Sequence, residues 1–354
     1  MPPANAAALV RRSMKISNPA ATSRTRITVA AGRMGCIVVI VTEYRRNHGI
    51  MKLAVDFPSV MYREGPEGIT RLAQGIESIG YDQLDMFDHV IMGYATDTRP
   101  APMYPPQMPI MEALTMLAYF AAVTERIGLG TEVLILPQRQ PVLVAKQAAT
   151  IDTLSRGRLR LGVGVGWQAA EYESLETDFH TRGRRMDEAI DLLRLCWGES
   201  HIEHEGRFYR APAIAMEPKS PQGGRLPIWI GGGSPAALKR TGERGDGWLA
   251  QAYTDPDRAR EAIATIHRHA DAAGRDPQSI GLQQMLDVPP RDNGGKAFYT
   301  DLDRVARRAE AVAQMGFSGC SINLTAVFQS GARSVDALLD RLAELHTRLR
   351  GVTG

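Results

Sequence analysis

Two stretches of this chain place residue types where they could do chemistry. In Pro227 to Leu238 (PIWIGGGSPAAL) an apolar run meets Gly231, Gly232 and Gly233, then Ser234 and Pro235. Ser at a helix N-cap satisfies a free N–H, Pro at the first helical position removes no hydrogen bond, and the glycines expose backbone donors. Such a helix start takes phosphate readily. The same signal also fits a well-capped helix with no ligand. In Arg158 to Trp167 (RLRLGVGVGW), Leu159, Leu161, Val163 and Val165 alternate with Gly162, Gly164 and Gly166. Side chains alternate across a strand, so one face is apolar and the other bare. Glycine there marks a close approach to the backbone, by a flat ring or by a neighbouring side chain.

Other constellations carry less. Gly164, Gly166 and Ala169 satisfy G-x-G-x-x-A, but a dinucleotide site wants that motif in the first βαβ unit with an acid ending the next strand. Here Asp187 and Glu188 lie in a helical pattern instead. His201 and His204, in H-I-E-H-E, suit a solvated hairpin better than a metal site, since H-E-x-x-H on a helix is absent. No G-x-S-x-G supports a serine hydrolase. Arg182, Arg184 and Arg185 could reach a phosphate or an acidic tail, or simply open a helix towards solvent. Cys36, Cys196 and Cys320 are far apart and lack metal spacing, which suits a reducing cytoplasm.

The elements that must position these residues follow from periodicity. Strand-like runs fall at about Lys52 to Phe57, Gln83 to Phe87, Gly128 to Leu136, Arg158 to Val165, Pro227 to Ile230, Gly247 to Gln251, Ile280 to Leu286 and Gly319 to Leu324. A helical pattern follows each one, at Pro66 to Ile79, Ile110 to Arg126, Val142 to Leu154, Arg185 to Trp197, Pro235 to Arg244, Asp255 to Ala273, Leu302 to Met315 and Val335 to Leu349. Strands alternating with helices predict a parallel sheet with crossover helices. Eight such units match a (β/α)8 TIM barrel, typically about 250 residues before insertions, with a doubly wound sheet as the alternative. Insertions are expected after strands 2, 4 and 7, at His89 to Pro109, Gln168 to Arg184 and Asp287 to Thr300. In a barrel all three stand over the carboxyl-end face. A further insertion, His201 to Ala211, reads as a hairpin turning at Gly206.

Composition is that of a globular chain: 44% hydrophobic, 23% charged, with 34 Gly, 21 Pro and net charge +3, which excludes disorder throughout and a collagen. The longest apolar run, Met34 to Val41, falls far short of the roughly 18 residues a bilayer span needs, so no membrane partner is expected. Residues 1–50 carry eight Lys or Arg against Glu43 alone, leaving 34 basic and 38 acidic residues beyond. They read as a basic, disordered N-terminal extension, and residues 51–354 as the catalytic domain. Arg11, Arg12 and Lys15 lack the apolar core of a twin-arginine export signal, so a cytoplasmic place is expected. No basic face with aromatics points to nucleic acid.

Several ordered motifs then agree with one another. Arg126 to Trp167, Pro227 to Arg240 (PIWIGGGSPAALKR) and GDGW at Gly245 to Trp248 resemble the luciferase-like monooxygenase superfamily, and more narrowly its probable coenzyme F420-dependent oxidoreductase branch, over nearly all of residues 51–350. The resemblance implies a barrel that binds a flavin or deazaflavin at the carboxyl ends of the strands, with the cofactor phosphate near Gly231, Gly232, Gly233 and Ser234, and Gly164, Gly166 and Trp167 close to the cofactor. It implies a bulge at Glu132 and Val133, often with a non-prolyl cis peptide, that props the central ring. It places Asp88 and His89 where deazaflavin-dependent members keep an acid–His pair, with His89 beside the reactive ring and Asp88 either bonding the ring edge or polarising the region. Trp167 stands where the superfamily's sugar dehydrogenases carry Glu, which argues against sugar-phosphate oxidation and for a more apolar pocket.

The function so implied is an oxidoreductase passing a hydride between F420 and a small organic substrate, with His89 moving the proton. The alternatives are a two-component monooxygenase using reduced FMN, served by a flavin or F420 reductase, and a non-catalytic flavin-binding protein. Relatives in the family suggest a homodimer, with the helices after strands 2 and 3 as the place to look.

Overall fold

A computed structural model describes residues 24–32, 35–43, 50–287 and 297–353. It divides into two units, residues 1–49 and 50–354. In the first, β1 (Arg24–Gly32) and β2 (Gly35–Glu43) pair antiparallel from Arg24 with Glu43 to Gly32 with Gly35. The sequence reading places this stretch inside a disordered extension; its β-branched runs, Ile27 to Val29 and Ile37 to Val41, instead form a hairpin. The rest of that extension lies outside the described residues.

In the second unit eight parallel staves close on themselves. They are β3 (Lys52–Asp56), β4 (Gln83–Met86), β5 (Gly128–Thr131) continued by β6 (Leu134–Ile135), β7 (Leu159–Gly164), then β10 (Ile228–Gly231), β11 (Gly247–Ala250), β12 (Gly281–Met285) and β13 (Gly319–Asn323). Each pairs with the next, β10 pairs back to β7 across a short hairpin insertion, and β13 returns to β3. Closure settles the barrel against the doubly wound alternative. The insertion before β10 is the antiparallel pair β8 (Ile202–Glu205) and β9 (Arg210–Ile214), as its turn at Gly206 predicts.

The helices outside are α1 (Gly65–Ile79), α2 (Ala113–Val123), α3 (Pro141–Leu154), α5 (Arg182–Gly198), α6 (Pro235–Arg244), α7 (Pro256–Ala272), α8 (Leu302–Met315) and α10 (Val335–Thr353). Two short helices fall outside the predicted pattern: α4 (Ala169–Ser174), in the insertion after β7, and α9 (Leu324–Gln329), after β13. Six residues give too little periodicity to be seen in sequence. Predicted strand three is cut in two, as β5 and β6, and the Glu132–Val133 peptide between them is cis. None of the described helices is long and apolar enough to cross a membrane.

The outward faces of the staves, among them Leu53, Val55, Leu84, Leu129, Leu161 and Ile322, join the helices in one apolar core. The inside is different. Trp229 lies there with the Arg160 guanidinium over its ring at 4.5 Å, and Arg160 crosses the lumen to Gln283 Oε1 (3.0 Å) and Asp85 Oδ2 (2.5 Å). A Cβ on Gly247 or Gly281 would sit 2.2 or 2.4 Å from the Trp229 ring, so these strands carry glycine to admit it.

Candidate active site at the barrel mouth

The carboxyl end of β4 delivers Asp88 and His89, both buried. Asp88 faces Arg139 in a two-pronged ion pair, Nη1 to Oδ2 and Nη2 to Oδ1 at 2.8 Å each, and Oδ2 also accepts from Ile135 N at 3.0 Å. Burial outweighs the Arg139 charge and raises the Asp88 carboxyl above its ordinary value. Both oxygens are therefore engaged in tying the end of β4 to Ile135 of β6 and to Arg139 beyond it.

His89 Nδ1 lies 3.0 Å from Glu171 Oε2. A carboxylate only accepts, so Nδ1 carries the hydrogen and Nε2 is the exchangeable nitrogen. Glu171 is fully buried, and its Oε1 accepts from Val90 N at 2.5 Å and Ile91 N at 3.4 Å. Burial pushes this carboxyl up, but the His89 hydrogen bond and charge and the Val90 N–H together hold it below the ordinary value. From the same turn, Gln168 Oε1 accepts from Gly93 N (2.5 Å) and its Nε2 donates to Ile91 O (2.9 Å). Helix α4 thus clamps the loop after β4 and orients the imidazole. Sequence reasoning missed Glu171; its only signal is an acid in a loop that a barrel must bring to the mouth.

Around His89 stand two aromatic edges, Trp167 with its ring centroid at 5.3 Å and Tyr104 at 6.2 Å. Trp167 is 40% exposed, a large apolar surface open to solvent at a site's rim. Burial, with Asp287 and Asp56 nearby, raises the Tyr104 phenol.

The bare glycine face has its answer in Val133. A Cβ on Gly164 would meet Val133 Cγ2 at 2.5 Å, one on Gly231 would meet Val133 Cγ1 at 2.8 Å, one on Gly162 would meet Thr131 O at 1.9 Å, and one on Gly166 would meet Ile135 Cγ2 at 2.8 Å. The protein's own bulge fills this face, and the glycines let it approach. Gly166 also has φ 65°.

At β10 the sequence-predicted anion site is assembled as a helix start. Ser234 Oγ accepts from Ala237 N at 3.3 Å and caps the ten-residue α6, whose first position is Pro235. Gly232 turns at φ 105°, and its carbonyl accepts from the buried Trp248 indole at 2.8 Å. Gly233 and Ser234 are exposed. Of the arginine run, Arg182 and Arg185 pack over Phe179 and Phe208 at 3.7 and 4.8 Å, while Arg184 is exposed. His204 lies 3.3 Å from Glu188, whose carboxylate also accepts from the N–H groups of Phe208 and Tyr209 and so shapes the hairpin turn.

Below the mouth, Glu132 Oε2 accepts from Gln283 Nε2 at 2.8 Å and Oε1 from Ser321 Oγ at 3.3 Å. Asp56, Asp85 and Glu132 each bring a carboxylate oxygen within 4.8 Å of the others, and Arg160 is the counter-charge on Asp85.

Comparisons with known proteins bear on the family and on the fold. The family model for luciferase-like monooxygenase matches residues 47–297. An uncharacterised protein of Mycobacterium tuberculosis, Rv0940c, is 34% identical over 212 residues, 58% of this chain and 72% of the relative. The F420-dependent glucose-6-phosphate dehydrogenase of Nocardia farcinica is 30% identical over 247 residues, 67% of this chain and 68% of the relative. Among solved structures, an F420-dependent secondary alcohol dehydrogenase in complex with an F420–acetone adduct superposes with TM-score 0.69 at 17% identity, covering 85% of this chain and 99% of that one.

Proposed function

The chain belongs to the luciferase-like monooxygenase family, and from that premise we propose that it passes a hydride between the deazaflavin F420 and a small organic substrate, with His89 carrying the substrate proton. The observation that supports this reading is the buried His89–Glu171 pair at the end of β4, its second nitrogen exchangeable and two aromatic rings beside it. An imidazole held in one tautomer can give or take a proton at an oxygen while hydride moves elsewhere.

The residues present fit a flavin-like group. Val133 projects from the bulge between Gly164 and Gly231, a prop for a planar ring, and the capped start of α6 with its glycine turn suits a phosphate. When bound, the deazaflavin supplies a ring carbon that gives or accepts hydride. Trp167 and Tyr104 would exclude water and favour an apolar, uncharged substrate. The first of these stands where the sugar dehydrogenases carry Glu, so an alcohol or carbonyl compound without phosphate is the better substrate class.

The test is anaerobic titration of the purified protein with F420 and with FMN, oxidised and reduced, followed by fluorescence. Preferential deazaflavin binding is expected, and His89→Ala should lower turnover about 10²- to 10⁴-fold while leaving that binding intact. Tight binding of reduced FMN alone, with oxygen consumption, would overturn the choice in favour of a two-component monooxygenase. Retention of every property by His89→Ala would leave a binding protein.

A further inference from the structure

Asp56 ends β3 directly opposite Asp85 on one side and Asn323 on the other. It is only 6% exposed, and its Oδ1 is buried with no hydrogen-bond partner. An orphaned carboxylate oxygen in that position is costly unless it carries a proton or meets a ligand. Its neighbour Glu132 is half-buried, accepts from Gln283 and Ser321, and adjoins the ring-propping Val133. The third carboxylate, Asp85, is matched by Arg160 and by Gln83 Nε2 at 3.0 Å.

The groups around the pair come from four staves and the loops above them: Asp85 on β4, Arg160 on β7, Gln283 on β12, Ser321 and the Cys320 thiol on β13, Asp287 after β12, and the Tyr104 and Tyr299 phenols. Among these described neighbours the single guanidinium is spent on Asp85, so Asp56 and Glu132 face each other without a cation of their own. Two carboxylates at this spacing repel, so in the resting pair one proton shared between them relieves the repulsion, and the doubly ionised pair is the higher-energy form.

We propose that Asp56 and Glu132 hold one proton between them and that Glu132 exchanges it with the molecule bound at the barrel mouth, making Glu132 a second acid–base residue beside His89. The exchange half of this proposal rests on the flavin-type function above. In the forward step the Glu132 O–H bond breaks as an O–H or N–H bond forms on the bound molecule, and both carboxyls are left as carboxylates. Gln283, Ser321 and the Arg160 charge meet the added negative charge, and the reverse transfer restores the pair. Asp56 is the positioning residue. The carboxyl values agree: burial and the Asp85 charge push Glu132 up to about 7, and burial with the Glu132 charge raises Asp56 well above the ordinary range.

Infrared titration of the full chain reads this directly through the C=O stretch of protonated carboxyl groups, with Glu132→Gln and Asp56→Asn as variants and circular dichroism to confirm that both fold. The wild type should show a carboxyl titrating near neutrality. Glu132→Gln should abolish that titration, and Asp56→Asn should move its midpoint down by about one pH unit or more. Adding F420 in its oxidised and reduced forms, with fluorescence on the same samples to report binding, should give a reduced-minus-oxidised carboxyl signal that Glu132→Gln loses. No carboxyl titrating near neutrality in the wild type overturns the shared proton. Bound F420 with a carboxyl signal identical in wild type and Glu132→Gln overturns the exchange. If fluorescence shows no F420 bound, the F420 assignment falls instead; the titration still decides the shared proton, and the same difference spectrum taken with FMN decides the exchange.

Discussion

His89 and Asp88 are adjacent in the chain and do different work. Asp88 spends both oxygens on Arg139 and the β6 backbone, whereas His89 is held by Glu171. Asp88→Asn should therefore cost about 3 kcal/mol of stability, because it takes the two-pronged carboxylate from a largely buried guanidinium and leaves it only Glu112 at 3.6 Å as a counter-charge, and thermal unfolding measures this. Glu171→Gln should preserve deazaflavin binding yet slow turnover about 10-fold or more, since a neutral amide no longer fixes the tautomer or supports the imidazolium. Steady-state kinetics across pH beside fluorescence binding separates the two effects.

Glu132 adds a pH effect on stability whose sign follows from its raised value. Between about 4.5 and about 7 the folded chain keeps a proton that the unfolded chain has released, so this group makes stability fall as pH rises through that window. In Glu132→Gln that part of the fall should vanish, which unfolding midpoints at several pH values will show.

At the scale of elements, strands and helices are placed by what their backbones can admit. β11 and β12 pass Trp229 only because Gly247 and Gly281 lack side chains. Gly281→Ala puts a Cβ 2.4 Å from the indole and should cost about 1–3 kcal/mol by overpacking, without touching the mouth. Gly231→Ala, by contrast, presses on Val133 at 2.8 Å, so it should weaken flavin binding more than it lowers the unfolding temperature. Loss of the α6 cap in Ser234→Ala should cost about 1 kcal/mol, and it should weaken a phosphate-bearing cofactor more than a phosphate-free one such as riboflavin.

For the whole molecule, the barrel completes its own sheet and core within residues 51–353. A chain beginning at Ile50 is thus expected to fold cooperatively and bind the same cofactor as the full chain, as circular dichroism and fluorescence would record.

The amino-acid sequence by itself determined the eight alternations, most helix limits to within a few residues, and the capped helix start at Ser234, because periodicity, N-caps and turn glycines act over a few neighbouring residues. It also pointed to His89, through the family resemblance carried by Arg126 to Trp167, Pro227 to Arg240 and Gly245 to Trp248. The tertiary structure alone decided which partners meet across the lumen. Gly164 and Gly231 share Val133, Glu171 arrives from a helix of six residues, and Asp56 meets Glu132, 76 positions later in the chain. Those encounters are set by the closure and register of the staves, which bring distant positions to one level of the barrel, and no local pattern in the chain records that level.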